Sequence, residues 1–293
     1  MRMKNIMVSI AAAALAAGVL AGCGQSGTAG ASASTAAASE STASAGESTQ
    51  EAASSADHLS RIKAAGVITV ATEGDWAPFT YHDEATNDLV GFDVETAQEI
   101  AKRLGVTAEF REGDFDGGLT GVSQGTFDMM ANGVDVTQER SQTFDFTDPY
   151  AYDHAVVVTK ADNDTIHSFA DLKGLTTANS VGSTYAEMGS ENGANVTNVP
   201  TLAETMELVL NGTADATINA NTSVQDYFKT SGTKELKVAA TDDQVTEYAI
   251  PLKKGSDNDS LREAINQAIA QMKEDGTLTK ISEKYFGSDI TKE

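Results

Sequence analysis

A chain of 293 residues can hold one large domain or two modest ones, and an apolar share of 40% is enough to build real cores. The net charge of −23 argues against a nucleic-acid partner, because phosphates are held by basic patches, and it offers nothing to anionic lipid headgroups. Acidity otherwise speaks of solubility rather than chemistry.

Arg2 and Lys4 precede an apolar run, Ile6 to Leu20, of signal-peptide length and too short to span a bilayer comfortably. The run closes in Leu20-Ala21-Gly22-Cys23, and Cys23 is the only cysteine. This ending resembles the lipobox of bacterial lipoproteins. It implies that residues 1–22 are a leader and that Cys23 becomes the lipidated N-terminus. A diacyl or triacyl anchor would then hold the chain at the extracytoplasmic face of the cell membrane. A plain signal peptide with an incidental cysteine is the alternative. One cysteine allows no intramolecular disulfide, no Cys-based zinc site and no second thiol partner. Residues 23–56 are nearly all Ser, Ala, Thr, Gly and Glu after the cysteine, and cannot bury enough surface to offset their ordering entropy. They are expected to be a disordered tether.

From Asp57 the pattern alternates strands and helices. A short helix, Asp57 to Ala65, stops at Gly66, and Val67 to Ala71 reads as a buried strand. Thr72 to Phe79 is then a loop at the carboxyl end of that strand, where open α/β sheets hold ligands, and it carries Glu73 and the only tryptophan, Trp76. A hairpin (Thr80–His82, Leu89–Val90) leads to a helix, Asp93 to Leu104, with Val94, Ala97, Ile100, Ala101 and Leu104 on one stripe. A strand at Thr107–Phe110 and a helix at Gly118–Gln124 follow.

Asp128 to Tyr150 organises the rest. Met129 and Met130 enter it as a buried strand, and Asn132, Gly133 and Asp135 form a small polar bend. Thr137 offers a hydroxyl to a single helical turn carrying Arg140. A glycine turn, exposed N–H groups and one arginine fork suit a planar carboxylate. An ordinary surface arginine is the bland alternative.

A second alternating unit runs through strands at Ala155–Thr159, Thr176–Ala178, Asn195–Val199, Asp215–Asn219 and Leu236–Ala239. Its Ser180–Tyr185 loop opens a helix, with Thr184 and Glu187 at capping-box spacing. Thr201 with Glu204, and Ser260 with Glu263, have the same spacing. A strand at Tyr248–Leu252 precedes the closing helices, Ser260–Glu274 and Thr277–Tyr285. The chain has no Walker loop and no HExxH motif, and His58, His82, His154 and His167 have no ligand spacing. The histidines are expected to be solvated, and neither metal nor cofactor is expected.

Several of these motifs, in order, resemble the bacterial extracellular solute-binding proteins of family 3, the polar amino-acid receptors of ABC importers. They include Arg61 to Val70, Glu73-Gly74-x-x-Ala77-Pro78-Phe79, Gly91-Phe92-Asp93, Thr137-x-Glu139-Arg140, Phe144-x-Phe146-x-Asp148-Pro149-Tyr150 and Glu283-Lys284-Tyr285-Phe286-Gly287. The resemblance covers nearly everything after the tether. It implies an α/β, two-lobed periplasmic-binding-protein-like fold of type II, with the ligand between the lobes and two hinge crossings. Lobe 1 would be 57–151 with 247–293, and lobe 2 would be 152–246.

Carried over residue by residue, Arg140 would hold a ligand α-carboxylate, Trp76 would form an aromatic wall, and Glu73 would read the ligand side chain. Asn132, Gly133 and Asp135 would meet the head group, and Ser183, Thr184 and Tyr185 would meet the carboxylate from lobe 2. One departure stands out. Ala220 occupies the place where many members carry an aspartate for the ligand ammonium, and Asp135 stands where many carry Ser or Thr. The expectation is that Asp135 supplies that carboxylate with Asn221 assisting, since a buried ammonium needs an acceptor.

The resemblance implies a monomeric, lipid-anchored binding protein that delivers a polar amino acid to permease subunits. Cystine is favoured by Ala131–Val134, Asn219-Ala220 and the 287–292 tail. Glutamine, another polar amino acid or a cationic one remain open. The alternative is a dehydratase of the same fold acting on a cyclic carboxylic acid, with Asp135 or Glu73 as general acid. A sensor domain is expected less, since no transmembrane or signalling segment follows.

Overall fold

Carboxylate caps and glycines in the left-handed region bound the first elements of the structure, a computed structural model that describes residues 56–293. These belong to the second of the chain's two units, Glu47–Glu293; the first, Met1–Gly46, lies outside the described residues. So do the expected leader, Cys23 and the tether up to residue 55. Helix α1 (His58–Ala65) starts where the Asp57 carboxylate accepts from Ser60 N–H at 2.9 Å, and stops at Gly66, φ 74°.

The first group of elements then follows: β1 (Val67–Thr72), β2 (Asp75–Trp76), β3 (Thr80–His82), β4 (Leu89–Val90), α2 (Phe92–Leu104), β5 (Thr107–Glu112), α3 (Phe115–Gln124), β6 (Met129–Met130), α4 (Arg140–Thr143) and β7 (Phe144–Phe146). Strand β1 lies parallel between β5 and β6, so its carboxyl end and that of β6 open at the same edge. The expected stripe of α2 is buried against this sheet, with Ile100 and Ala97 fully enclosed. A side chain the size of Ile100 contributes roughly 1.5–3 kcal/mol by leaving water. Helix α3 begins at Phe115 rather than the expected Gly118, because Asp114 caps it by accepting from Gly117 N–H at 2.8 Å.

The second group comprises β8 (Ala151–Lys160), a 3-10 turn at Phe169–Leu172, β9 (Thr176–Asn179), α5 (Thr184–Glu191), β10 (Asn195–Asn198), α6 (Leu202–Leu210), β11 (Thr217–Ala220), α7 (Asn221–Ser231) and β12 (Leu236–Tyr248). The chain then returns to the first group with β13 (Pro251–Lys253), which pairs with β7, and with α8 (Asp259–Glu274) and α9 (Thr277–Phe286). Thr177 of β9 forms an isolated parallel bridge to Ala216, the residue before β11, and β11 pairs antiparallel with β8.

Strands β8 and β12 are the two crossings between the groups, and they run antiparallel to each other. Both are longer than expected. The sequence pattern showed only the continuously buried parts, whereas β8 alternates buried and half-buried residues at its start and β12 carries the polar Thr241–Gln244 run past two register shifts. The expected lobe boundaries fall on this ladder, where Tyr152 faces Glu247 and Asp153 faces Thr246.

Two capping expectations change. Ser183, not Thr184, caps α5, its Oγ accepting from Ala186 N–H at 3.2 Å, and α8 begins at Asp259 without Ser260 as its cap. Thr201 caps α6 as expected. His58 is not solvated: its Nε2 meets the Asp128 carboxylate at 2.7 Å and its Nδ1 meets the Asn258 side-chain oxygen. Among the described residues no helix is long and apolar enough to cross a membrane.

Candidate functional site

The carboxyl ends of β1 and β6, the N-terminus of α5 and the end of β11 surround one recess of about 490 Å³. That volume includes space open to solvent. Of the residues expected at a site, it brings together Glu73, Trp76, Asn132, Gly133, Asp135, Ser183, Thr184 and Tyr185.

Asn132 organises the first wall. Its Oδ1 accepts from Glu73 N–H at 2.8 Å and from the Thr72 and Thr80 hydroxyls at 3.2 Å, while its Nδ2 donates to Glu73 Oε2 at 2.6 Å. Those bonds fix the amide's orientation and hold the Glu73 side chain. Burial pushes the Glu73 carboxyl up to about 7, opposed by the Asn132 hydrogen bond and aided by nearby Asp75 and Asp114.

Trp76 lies flat on Phe79, with ring centroids 4.3 Å apart and planes 8° apart. Its indole N–H donates across the recess to Asn219 Oδ1 at 3.4 Å, a long and weak bond. At the edge of its six-membered ring lies Gly133, where φ is +50° and an added Cβ would sit 2.5 Å from Trp76 and 3.5 Å from Phe79. Glycine is required there by both space and conformation.

Arg140 is buried and does not line the recess itself, whereas its ion-pair partner Asp135 does. The Thr137 hydroxyl accepts from Arg140 N–H at 3.0 Å, so the single turn forms as expected. The guanidinium Nη1 donates to the Asp135 carboxylate and to the Asp135 carbonyl at 3.2 Å, and Nη2 donates to Gly182 O at 3.0 Å. Phe115 lies against the guanidinium, 5.2 Å from its carbon. The arginine is therefore held by a carboxylate from its own turn and a carbonyl from the α5 loop.

On the opposite wall Ser183 Oγ donates to Ser180 O at 2.8 Å, and Tyr185 OH meets Tyr248 OH at 3.1 Å. By helix geometry, the Thr184 and Tyr185 N–H groups have no carbonyl of their own helix to bind, which leaves two donors at a positive helix end. Asn221 is placed elsewhere. It begins α7, accepts from Gln225 at 3.2 Å, and lines a separate recess with Pro78 and Tyr285. Asn219, at the end of the preceding strand, reaches the recess instead.

The sequence reading also passed over Asp75, Phe115 and Leu202, which line the same recess. Asp75 sits in the strand-end loop already singled out, so position marked it. Nothing local to Phe115 or Leu202 marked them. Asp75 is raised from the usual aspartate range by burial. The recess thus holds three carboxyls against one guanidinium behind them. Among the described residues no group of three or more His, Cys, Asp or Glu side chains could hold a metal ion.

The family model for bacterial extracellular solute-binding proteins, family 3, matches residues 68–288. The L-cystine-binding protein TcyA of Bacillus subtilis is 42% identical over 236 residues, covering 80% of this chain and 87% of that protein. The L-cystine-binding protein TcyJ of Escherichia coli is 33% identical over 240 residues, covering 80% and 88%. Among solved structures, the amino acid ABC transporter substrate-binding protein AbpA from Streptococcus pneumoniae, bound to L-arginine, superposes with a TM-score of 0.72 at 31% identity, covering 80% of this chain and 100% of that one.

Proposed function

Because the chain belongs to the bacterial extracellular solute-binding proteins of family 3, we propose that its recess captures a polar amino acid, with cystine favoured, and presents it to the permease of an ABC importer. It works outside the cytoplasm and is a binding protein rather than an enzyme, as its relatives are. The observation that carries the reading is the meeting of the Asp135–Arg140 pair with the N-terminus of α5 at one recess. A zwitterion fits such a pair. Its carboxylate would take the Thr184 and Tyr185 N–H groups and, by displacing the Asp135 oxygen now on Nη1, the Arg140 guanidinium, and its ammonium would take Asp135. Asp135 then does the work that a lobe-2 aspartate does where Ala220 stands here. Asn219, rather than Asn221, is the asparagine at hand.

Cystine is favoured by the 42% identity to TcyA. A second reading, a cationic amino acid, is favoured by the excess of carboxyls at Glu73, Asp75 and Asp135. We also propose that residues 57–151 with 247–293 move against 152–246 about the β8–β12 ladder, that the protein acts as a monomer, and that Cys23 carries the lipid anchor. The dehydratase alternative is not carried forward, since the relatives named are binding proteins.

A thermal-shift screen of residues 56–293 against the common amino acids and cystine tests the reading, because a ligand that binds only the native state raises Tm by mass action. One clear hit, lost in Arg140→Ala and weakened in Asp135→Asn, is expected. A flat panel, or Asp135→Asn binding as tightly as the parent, would overturn the assignment or its Asp135 part.

A further inference from the structure

Asp93 is fully buried in the first turn of α2 and does not line the recess described above. Its two oxygens serve two different segments. Oδ2 accepts the N–H of Gly133, in the turn that lies against Trp76. Oδ1 accepts the hydroxyl of Tyr150 at 2.7 Å, and Tyr150 is the residue immediately before β8. The Tyr150 ring also stacks on Phe92, 5.8 Å between centroids. The backbone of Asp93 is fixed as well, its N–H donating to Phe79 O at 3.0 Å, while Phe92 N–H donates to Pro78 O at 3.0 Å.

One carboxyl therefore ties the Trp76–Phe79 loop, the Gly133 turn and the entry to a crossing strand. Burying it is costly, and burial pushes it up to about 7 despite the Tyr150 and Gly133 bonds. We propose that Asp93 is a positioning residue that couples the Gly133 turn to the β8 crossing through Tyr150, so that occupancy of the recess and movement of the crossing depend on each other. The inference rests on the amino-acid site proposed above. Neither Asp93 nor Tyr150 touches the ligand.

The test uses the full chain with Tyr150→Phe, which removes one O–H, and Asp93→Asn. The asparagine can accept from Gly133 with its oxygen and donate to the Tyr150 oxygen with its amide, reversing that bond. Three quantities are read: Tm, affinity for L-cystine and L-arginine well below Tm, and hydrogen exchange at the Gly133 amide without added amino acid. Tyr150→Phe is expected to speed Gly133 exchange and weaken affinity by about tenfold, the size expected for one lost buried hydrogen bond. Asp93→Asn is expected to stay within about threefold of the parent in both. A Tyr150→Phe protein with lowered Tm but unchanged Gly133 exchange and affinity would overturn the proposal. If the parent binds neither amino acid, the site reading fails separately. Gly133 exchange then still decides this one: faster exchange in Tyr150→Phe upholds the anchor, and unchanged exchange overturns it.

Discussion

Glu73 is a carboxyl with a native pKa near neutrality, pushed there by burial. The native state keeps a proton that the unfolded chain has lost, so the group's ionisation opposes folding. Stability is fullest below about 4.5 and falls as pH rises to about 7, by roughly 3 kcal/mol once ionisation is complete. Glu73→Gln is expected to flatten that fall in urea titrations run across the interval, and an unchanged slope would contradict it. The same group separates the two ligand readings. A cationic ligand side chain favours the ionised form, so its affinity should rise through neutrality. A ligand that hydrogen-bonds the protonated form should bind less tightly as pH rises. His58 runs the same way, from a higher starting pH. Asn258 Nδ2 donates to Lys253 O at 2.7 Å, so its oxygen faces His58, and Asp128 faces the other ring nitrogen. Both nitrogens must donate, which makes the ring an imidazolium, and its pKa is raised chiefly by the Asp128 hydrogen bond. That stabilisation is fully present below about 6.5 and is lost as pH rises through the native pKa. Tm of His58→Ala should lie below the parent's at pH 6, with the gap closing on the alkaline side; a gap independent of pH would contradict it. Nothing local in the sequence marked His58, because its partners lie 70 and 200 residues away.

At the level of the elements, the recess depends on turns that admit only certain residues. Gly133→Ala would set a Cβ 2.5 Å from the Trp76 ring at φ +50°. It is expected to displace the indole, shift the emission of the only tryptophan and weaken ligand binding about tenfold or more; a variant with the parent's spectrum and affinity would contradict the packing described. Much at this scale was legible in the sequence. The α2 stripe, the Thr137 and Thr201 hydroxyl caps and the glycine stops are short-range signals, and the structure has them. Signals failed where long-range pairing decides. The polar half of β12 is a strand because β8 pairs with it, and the α5 cap moved by one residue because Ser183 and Thr184 are equally plausible caps locally. Asn219 replaced Asn221 at the recess because the chain turns into α7 at 221.

For the whole molecule, the β8–β12 ladder is the shared axis of two α/β groups. The contacts from Arg140 to Gly182, Trp76 to Asn219 and Tyr185 to Tyr248 all join residues far apart in the chain around the recess. Strand–helix alternation and ordered family motifs revealed this architecture in the sequence. What they did not reveal is that Arg140 meets Asp135, since the pairing of two charges five residues apart depends on how the turn closes. A ligand that bridges both groups should draw them together, seen as a smaller radius of gyration in solution scattering, and an unchanged radius would contradict movement about the ladder. The central claim is that Arg140 holds an amino-acid carboxylate at this recess. Isothermal titration of the parent and of Arg140→Ala with L-cystine and L-arginine tests it most directly. The account predicts one saturable site in the parent for at least one of the two, weakened at least about a hundredfold in the variant. Binding of equal strength in both proteins, or none in the parent, would contradict it.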